Sequence, residues 1–215
     1  RRRGDAAPVE TFSEALSLIA EASERTLGIR PYAVQLVAAI AIQQGYLAEM
    51  ATGEGKTLTA AFPAILTAWA ARPCHIVTAN DYLAERDAET LAPLYAFCGV
   101  TTGSISSEMS SNERRNNYGR DIVYTTGKEL LADFLRDRLS DIGSCTAAQR
   151  QVRRHSGSIE YFKDQTVMRG IDTAIIDEAD SVLIDEAVTP LIISQAQTNH
   201  VLSEACHLAR KIGED

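Results

Sequence analysis

A short glycine-containing loop between an apolar segment and a helical pattern constrains the fold of this chain most. The loop comprises Thr52, Gly53, Glu54, Gly55, Lys56 and Thr57. Glycines leave backbone N–H groups open to a polyphosphate, and the positive end of the following helix favours negative charge. Lys56 can reach the β- and γ-phosphates of ATP, and the Thr57 hydroxyl can ligate Mg²⁺. The loop therefore predicts a nucleotide site, the alternative being a glycine turn that only caps a helix.

The loop departs from the full phosphate-loop pattern at one position. That pattern has a glycine five residues before Gly55, where this chain has Met50. The departure favours a loop of the helicase type over one of the kinase type.

An acidic pair provides a second candidate site. The apolar run 173–176 reads as a buried strand, and Asp177 and Glu178 follow it directly. Carboxylates at a strand end are costly to bury unless a cation or proton accompanies them. Asp177 would hold the Mg²⁺ of ATP, usually through water, and Glu178 would orient and polarise the attacking water. The alternative, an acidic helix start, is weakened because the two motifs occur together and in this order.

Strand and helix patterns alternate along most of the chain. A helix with Pro31 in its first turn is expected to end at Gly45, and the span 140–169 reads as an irregular excursion. The alternation predicts an α/β fold with a parallel sheet, helices on both faces and ligands at the carboxyl edge of the strands. The predicted strands are 46–50, 74–78, 100–105, 121–125, 173–176 and 191–193, and the other main helices are 11–27, 56–71, 82–98, 110–118, 128–139 and 199–212.

Composition excludes several other classes of protein. With 21 basic and 29 acidic residues the net charge is −8, so the chain lacks the basic footprint of a nucleic-acid binder. The 4 cysteines are scattered without a Cys-x-x-Cys pair, which indicates neither a zinc site nor a disulfide framework. No apolar stretch is long enough for a membrane span. We expect one large core in a soluble piece of a longer protein.

Four blocks of sequence carry a family resemblance. They are 30–36, 48–50, 77–87 and 185–194. Together they resemble the first nucleotide-binding domain of SecA, the ATPase that drives preproteins through the bacterial Sec channel. The block 185–194 resembles that family's exit into its preprotein-binding insertion, which general helicases lack.

The resemblance implies a three-layer RecA-like P-loop NTPase domain with a mostly parallel sheet, which uses ATP and Mg²⁺. It also implies that Gln35 hydrogen-bonds adenine, that Tyr32 packs on the base and that Arg86 lies near the phosphates. The implied partners are preproteins, the Sec protein-conducting channel and the membrane surface, with no nucleic acid. The implied location is the cytoplasm, peripheral to the inner face of the cytoplasmic membrane.

The resemblance divides the chain into three parts. We expect an N-terminal helical segment at 1–28, motor domain 1 at 29–194 and the start of the preprotein cross-linking domain at 195–215. The stretches 124–130 and 140–169 depart from the family pattern. These departures are compatible with two origins for the chain, a housekeeping translocase or a divergent SecA-like paralogue.

Other interpretations remain at this stage. One is a nucleic-acid helicase of the DEAD-box kind, whose motif has the same sequence as residues 177–180. Another is a pure interaction module with a vestigial nucleotide site. Gln35 could be an ordinary helix residue, Tyr32 a packing residue, and Arg86 a surface partner of Asp87 or Glu89.

Overall fold

Four short strands form one parallel sheet in the computed structural model, which describes residues 9–142, 166–186 and 210. The order across the sheet is β2-β3-β1-β4, and each neighbouring pair is parallel. The non-sequential order requires crossovers, which the intervening helices provide. The strands are β1 (Cys74–Thr78), β2 (Thr102–Ser104), β3 (Ile122–Thr126) and β4 (Thr173–Ile176).

Helices fill the connections between the strands, as the alternation of patterns predicts. Asn80 caps α4, because its side chain accepts a hydrogen bond from the Leu83 N–H at 2.8 Å. Ser110 and Glu113 form a capping box at the start of α5. The helices are α1 (Val9–Leu27), α2 (Ala33–Gln43), α3 (Lys56–Trp69), α4 (Asp81–Phe97), α5 (Ser111–Tyr118) and α6 (Gly127–Ile142), followed by a single π-type turn at Ser181–Asp185.

The sheet is covered by helices on both faces. Ile76 of β1 and Tyr124 of β3 face a core built with α1, α3 and α4, and the Tyr124 hydroxyl lies 2.7 Å from that of Tyr95 on α4. On the opposite face, Val123 packs with Tyr118 of α5 and a partly buried leucine of α6. The predicted α/β fold with a parallel sheet between two helical layers is therefore confirmed.

Three predicted elements differ in the structure. Residues 46–50 form no strand, and Leu47 is 86% exposed, so an apolar run alone did not provide a pairing partner. Helix α2 begins at Ala33 with extended Tyr32 as its N-cap, which places Pro31 before the helix instead of in its first turn. Strand β2 is shorter than the predicted span 100–105.

Several predictions fall largely outside the described residues. These are the strand 191–193, most of the helix 199–212 and most of the excursion 140–169. Arg210 is helical. None of the described helices combines the length and apolar character needed to cross a membrane.

A fully buried histidine at the centre of the sheet makes stability depend on pH. His75 lies on β1 with its ring centroid 6.0 Å from that of Tyr118, and among the described residues neither ring nitrogen makes a hydrogen bond of ordinary geometry. Burial lowers the pKa of His75 below its ordinary value of 6.5, against a smaller opposing effect of the Thr173 backbone. Between the lowered pKa of the folded chain and 6.5, the imidazole of the unfolded chain binds a proton and that of the folded chain does not. Lowering the pH through this window therefore favours unfolding.

We predict that His75→Leu reduces the loss of stability between pH 7.5 and 5.5. The wild-type loss due to His75 should approach about 1.4 kcal/mol for each pH unit below the unfolded-state pKa. Urea unfolding at the two pH values measures the effect. An equal fall in both proteins would assign the acid sensitivity to other groups.

Candidate nucleotide site

The predicted phosphate loop forms an exposed turn that leads into α3. Residues 52–55 are exposed, and Gly53 and Gly55 adopt left-handed backbone angles with φ of +87° and +76°. Gly55 is the N-cap of α3, and no side chain caps this end of the helix. Backbone N–H groups without a side-chain cap at a helix start form a ready site for an anion. Lys56 and Thr57, which start the helix, are half-buried beside the turn.

Gln35 ties the start of α2 to this turn. Its side chain is buried, with 5% exposure. The Oε1 atom accepts a hydrogen bond from the Tyr32 N–H at 2.8 Å, and the Nε2 atom donates to the Glu54 carbonyl at 2.8 Å. Gln35 is therefore not an ordinary exposed helix residue. The Tyr32 ring is 75% exposed near the same turn, and adenine contacts by these two residues stay a prediction.

The acidic pair lies at the carboxyl edge of the sheet. The Asp177 N–H donates to the Val77 carbonyl at 2.8 Å, which continues the pairing of β4 with β1 to the strand end. Burial raises the pKa of the Asp177 carboxyl, as does the neighbouring Glu178, while the positive charge of Lys56 lowers it. The structure thus brings Lys56 and Asp177, which are distant in sequence, into one electrostatic environment.

Glu178 has an unusual backbone conformation. Its φ of +55° is left-handed, a region that costs a residue with a side chain about 1–2 kcal/mol. The Glu178 N–H donates to Asp177 Oδ1 at 3.1 Å, and the Glu178 side chain is exposed. Such strain often accompanies functional positions. Because its side chain is exposed, the Glu178 carboxylate is accessible to water.

Arg86 on α4 contributes a second positive charge near this edge. Its guanidinium donates to Asp87 Oδ1 from Nε at 2.8 Å and from Nη2 at 2.6 Å. The hydrogen bonds and charge of Asp87 raise the pKa of Arg86, with a smaller contribution from Asp177. Arg86 does pair with Asp87, but Asp87 is buried instead of lying on the helix surface. Sequence reasoning treated Asp87 only as a surface partner.

The oxygen ligands available here suit Mg²⁺ held together with a nucleotide. In the described part of the chain, no group of three or more histidine, cysteine, aspartate or glutamate side chains could hold a metal ion. Mg²⁺ typically uses one or two carboxylates together with water and substrate phosphates. Asp177 and the Thr57 hydroxyl are donors of that kind.

Comparison with known proteins decides the family. Residues 2–215 match the family model described as the SecA DEAD-like domain. The chain belongs to the SecA family. The resemblance found in the sequence blocks is therefore confirmed, and the family is one with a DEAD-like domain.

Individual relatives agree with this assignment. The chain is 48% identical over 94% of its length to protein translocase subunit SecA 2 of Chlorobium chlorochromatii, and 47% identical over 93% to protein translocase subunit SecA of Lachnoclostridium phytofermentans. It spans 30% and 21% of the lengths of these two relatives.

A hypothetical ATP-dependent RNA helicase from Sulfolobus tokodaii is similar in structure, with a TM-score of 0.45 and 19% identity over 85% of this chain and 55% of that one.

We predict that Gly55→Ala disrupts the turn more than Gly53→Ala does. A Cβ atom at Gly55 would lie 2.3 Å from Gln35 Nε2, whereas one at Gly53 meets nothing within 4 Å. Both substitutions incur left-handed backbone strain of about 1–2 kcal/mol, and only Gly55→Ala also displaces Gln35. Urea unfolding of the two variants measures the difference. In a Gln35→Ala background, Gly55→Ala should lower the free energy of unfolding no more than Gly53→Ala does. If Gly55→Ala is still the more destabilising of the two in that background, the steric account is contradicted.

Proposed function

We propose that this chain is the ATP-binding motor domain of a SecA-type ATPase that couples ATP hydrolysis to protein translocation. The observation that carries the proposal is that the charge of Lys56, at the start of α3, acts on the Asp177 carboxyl at the carboxyl edge of a parallel sheet. Ligands in open α/β sheets bind at this edge. A glycine turn that only caps a helix would not require an acidic strand end beside its lysine.

Each residue at the edge has a role in this proposal. The N–H groups of residues 52–57 and the Lys56 amine bind the phosphates, and Tyr32 and Gln35 contact the adenine. The Thr57 hydroxyl and Asp177 hold Mg²⁺, which neutralises charge on the phosphate oxygens when it is bound.

Glu178 acts on the attacking water in the proposed reaction. Its exposed carboxylate orients the water and accepts its proton as the water oxygen bonds to the γ-phosphorus. The bond between that phosphorus and the β–γ bridging oxygen breaks in the same step, and ADP leaves. Arg86 lies beside the same phosphates. The left-handed backbone of Glu178 sets the direction in which its side chain leaves the chain next to Asp177.

Movement requires parts beyond this domain. We propose that ATP is clamped between residues 29–194 and a second motor domain that supplies an arginine finger, so that hydrolysis changes the angle between the two. We propose the division that the family resemblance implies, with 1–28 as an N-terminal helical segment and 195–215 as the start of the preprotein cross-linking domain. The partners are preproteins, the Sec channel and the inner face of the cytoplasmic membrane, which the protein meets from the cytoplasm.

A DEAD-box helicase activity is the competing function. The sequence of residues 177–180, which is that of the DEAD motif, supports it. The net charge of −8 and the SecA family assignment oppose it. Affinity for single-stranded RNA that falls steeply with salt would favour it. A vestigial site in an interaction module would give no heat in a calorimetric titration with ADP.

We predict that Lys56→Ala abolishes ATP binding. The substitution removes the side-chain cation that reaches the phosphates and leaves the turn itself in place. Calorimetric titration with ATP and Mg²⁺ measures the loss, and Lys128→Ala, which removes an exposed lysine from α6, should bind like the wild type. Equal binding by Lys56→Ala and wild type would contradict the site.

We predict that Glu178→Gln binds ATP normally but does not turn it over in the full-length protein. The amide keeps the shape of the side chain and cannot accept a proton. Loss of such a base typically costs about 10²- to 10⁴-fold in kcat. Phosphate release measures turnover, with Glu14→Gln on the exposed side of α1 as the matched control. Wild-type turnover by Glu178→Gln would remove the assignment.

A further inference from the structure

The ion pair between Arg86 and Asp87 has an unusual geometry for a helix. Consecutive helical residues do not face one another, and the usual ion pairs within a helix join residues three or four positions apart. Here both Nε and Nη2 of Arg86 reach a single oxygen of its neighbour, at 2.8 and 2.6 Å. The Arg86 side chain must therefore bend around α4 toward Asp87 instead of extending into solvent.

Asp87 is the inner member of the pair. Its side chain is 6% exposed, against 47% for Arg86. Within the described residues, the hydrogen bonds that Asp87 accepts come from Arg86. Its charge also contributes to raising the pKa of the buried hydroxyls of Tyr95 and Tyr124, after the larger effect of their burial. A buried carboxylate of this kind requires a partner, and that requirement fixes where the guanidinium stands.

Within the described residues, the outer edge of the Arg86 guanidinium has no hydrogen-bond partner. A guanidinium has five N–H donors in a rigid plane, and Asp87 takes one from Nε and one from Nη2. The Nη1 side can still form paired hydrogen bonds with an oxyanion such as phosphate.

Arg86 lies on a helix that begins at the carboxyl edge of the sheet. Helix α4 starts directly after β1. Strand β4, which neighbours β1 in the sheet, is followed by Asp177, whose N–H donates to the Val77 carbonyl of β1. The charge of Asp177 acts on Arg86, and the charge of Lys56 acts on Asp177. Both cations therefore lie within electrostatic reach of one acidic strand end.

We propose that Asp87 is the positioning residue of Arg86. It holds one edge of the guanidinium so that the opposite edge meets the phosphates of a nucleotide bound at residues 52–57. Asp87 itself does not touch the nucleotide. This inference rests on the proposed function and adds to it a residue that acts through Arg86.

A double-mutant cycle in the full-length protein tests the proposal. Asp87→Asn keeps the shape of the side chain and removes the charge that holds Arg86, so kcat/KM for ATP should fall on the order of tenfold or more. Arg86→Gln should show a comparable loss. Because Asp87 acts only through Arg86, the double variant should lose no more than Arg86→Gln alone. Glu89→Gln removes an exposed charge from the same helix and should leave kcat/KM unchanged.

A purely structural role for Asp87 predicts other results. Independent, multiplying losses in the double variant, or wild-type kcat/KM in Asp87→Asn, would overturn the proposal. If Asp87→Asn does not fold, Arg86→Lys decides, since it keeps a cation beside Asp87 but lacks the planar fork. Full kcat/KM in Arg86→Lys would overturn the proposal, and a loss of the same size as in Arg86→Gln would support it.

The same experiment separates this inference from the proposed function. ATP binding that depends on Lys56, together with an unaffected Asp87→Asn, would reject the positioning role alone. Failure of the wild-type protein to bind ATP would reject the proposed function and the inference with it.

Discussion

The balance of charge at the carboxyl edge of the sheet is the constraint on which the site depends. Asp87 is buried and Asp177 is half-buried, and carboxylates in such places need partners. Arg86 partners the first through direct hydrogen bonds, and Lys56 acts on the second through its charge. Polyphosphate with Mg²⁺ is a ligand that could join these groups, because it offers both negative oxygens and a cation.

The turn before α3 depends on a different interaction. Gln35 uses both ends of its amide to connect the Tyr32 N–H to the Glu54 carbonyl, so the start of α2 and the glycine turn are held together. A side chain at position 55 would displace the Gln35 amide from this position. A helix that lies far from the acidic edge in sequence thereby shapes the loop that faces that edge.

Local patterns predicted much of the fold. Strands β1, β3 and β4 were predicted because each is a short apolar run. The span 46–50 has the same apolar character and yet forms no strand. A strand exists only when a neighbouring chain segment pairs with it, and a local pattern carries no information about that neighbour.

The sequence by itself determined the order of the motifs, the α/β class and the SecA resemblance, because each depends on residues close together along the chain. Tertiary structure alone decided that Asp87 is buried, that the Gln35 amide holds the loop and that His75 has no hydrogen-bond partner. Burial and pairing depend on which elements pack together across the crossovers of the parallel sheet. Those contacts join residues far apart in sequence, so only the folded chain specifies them.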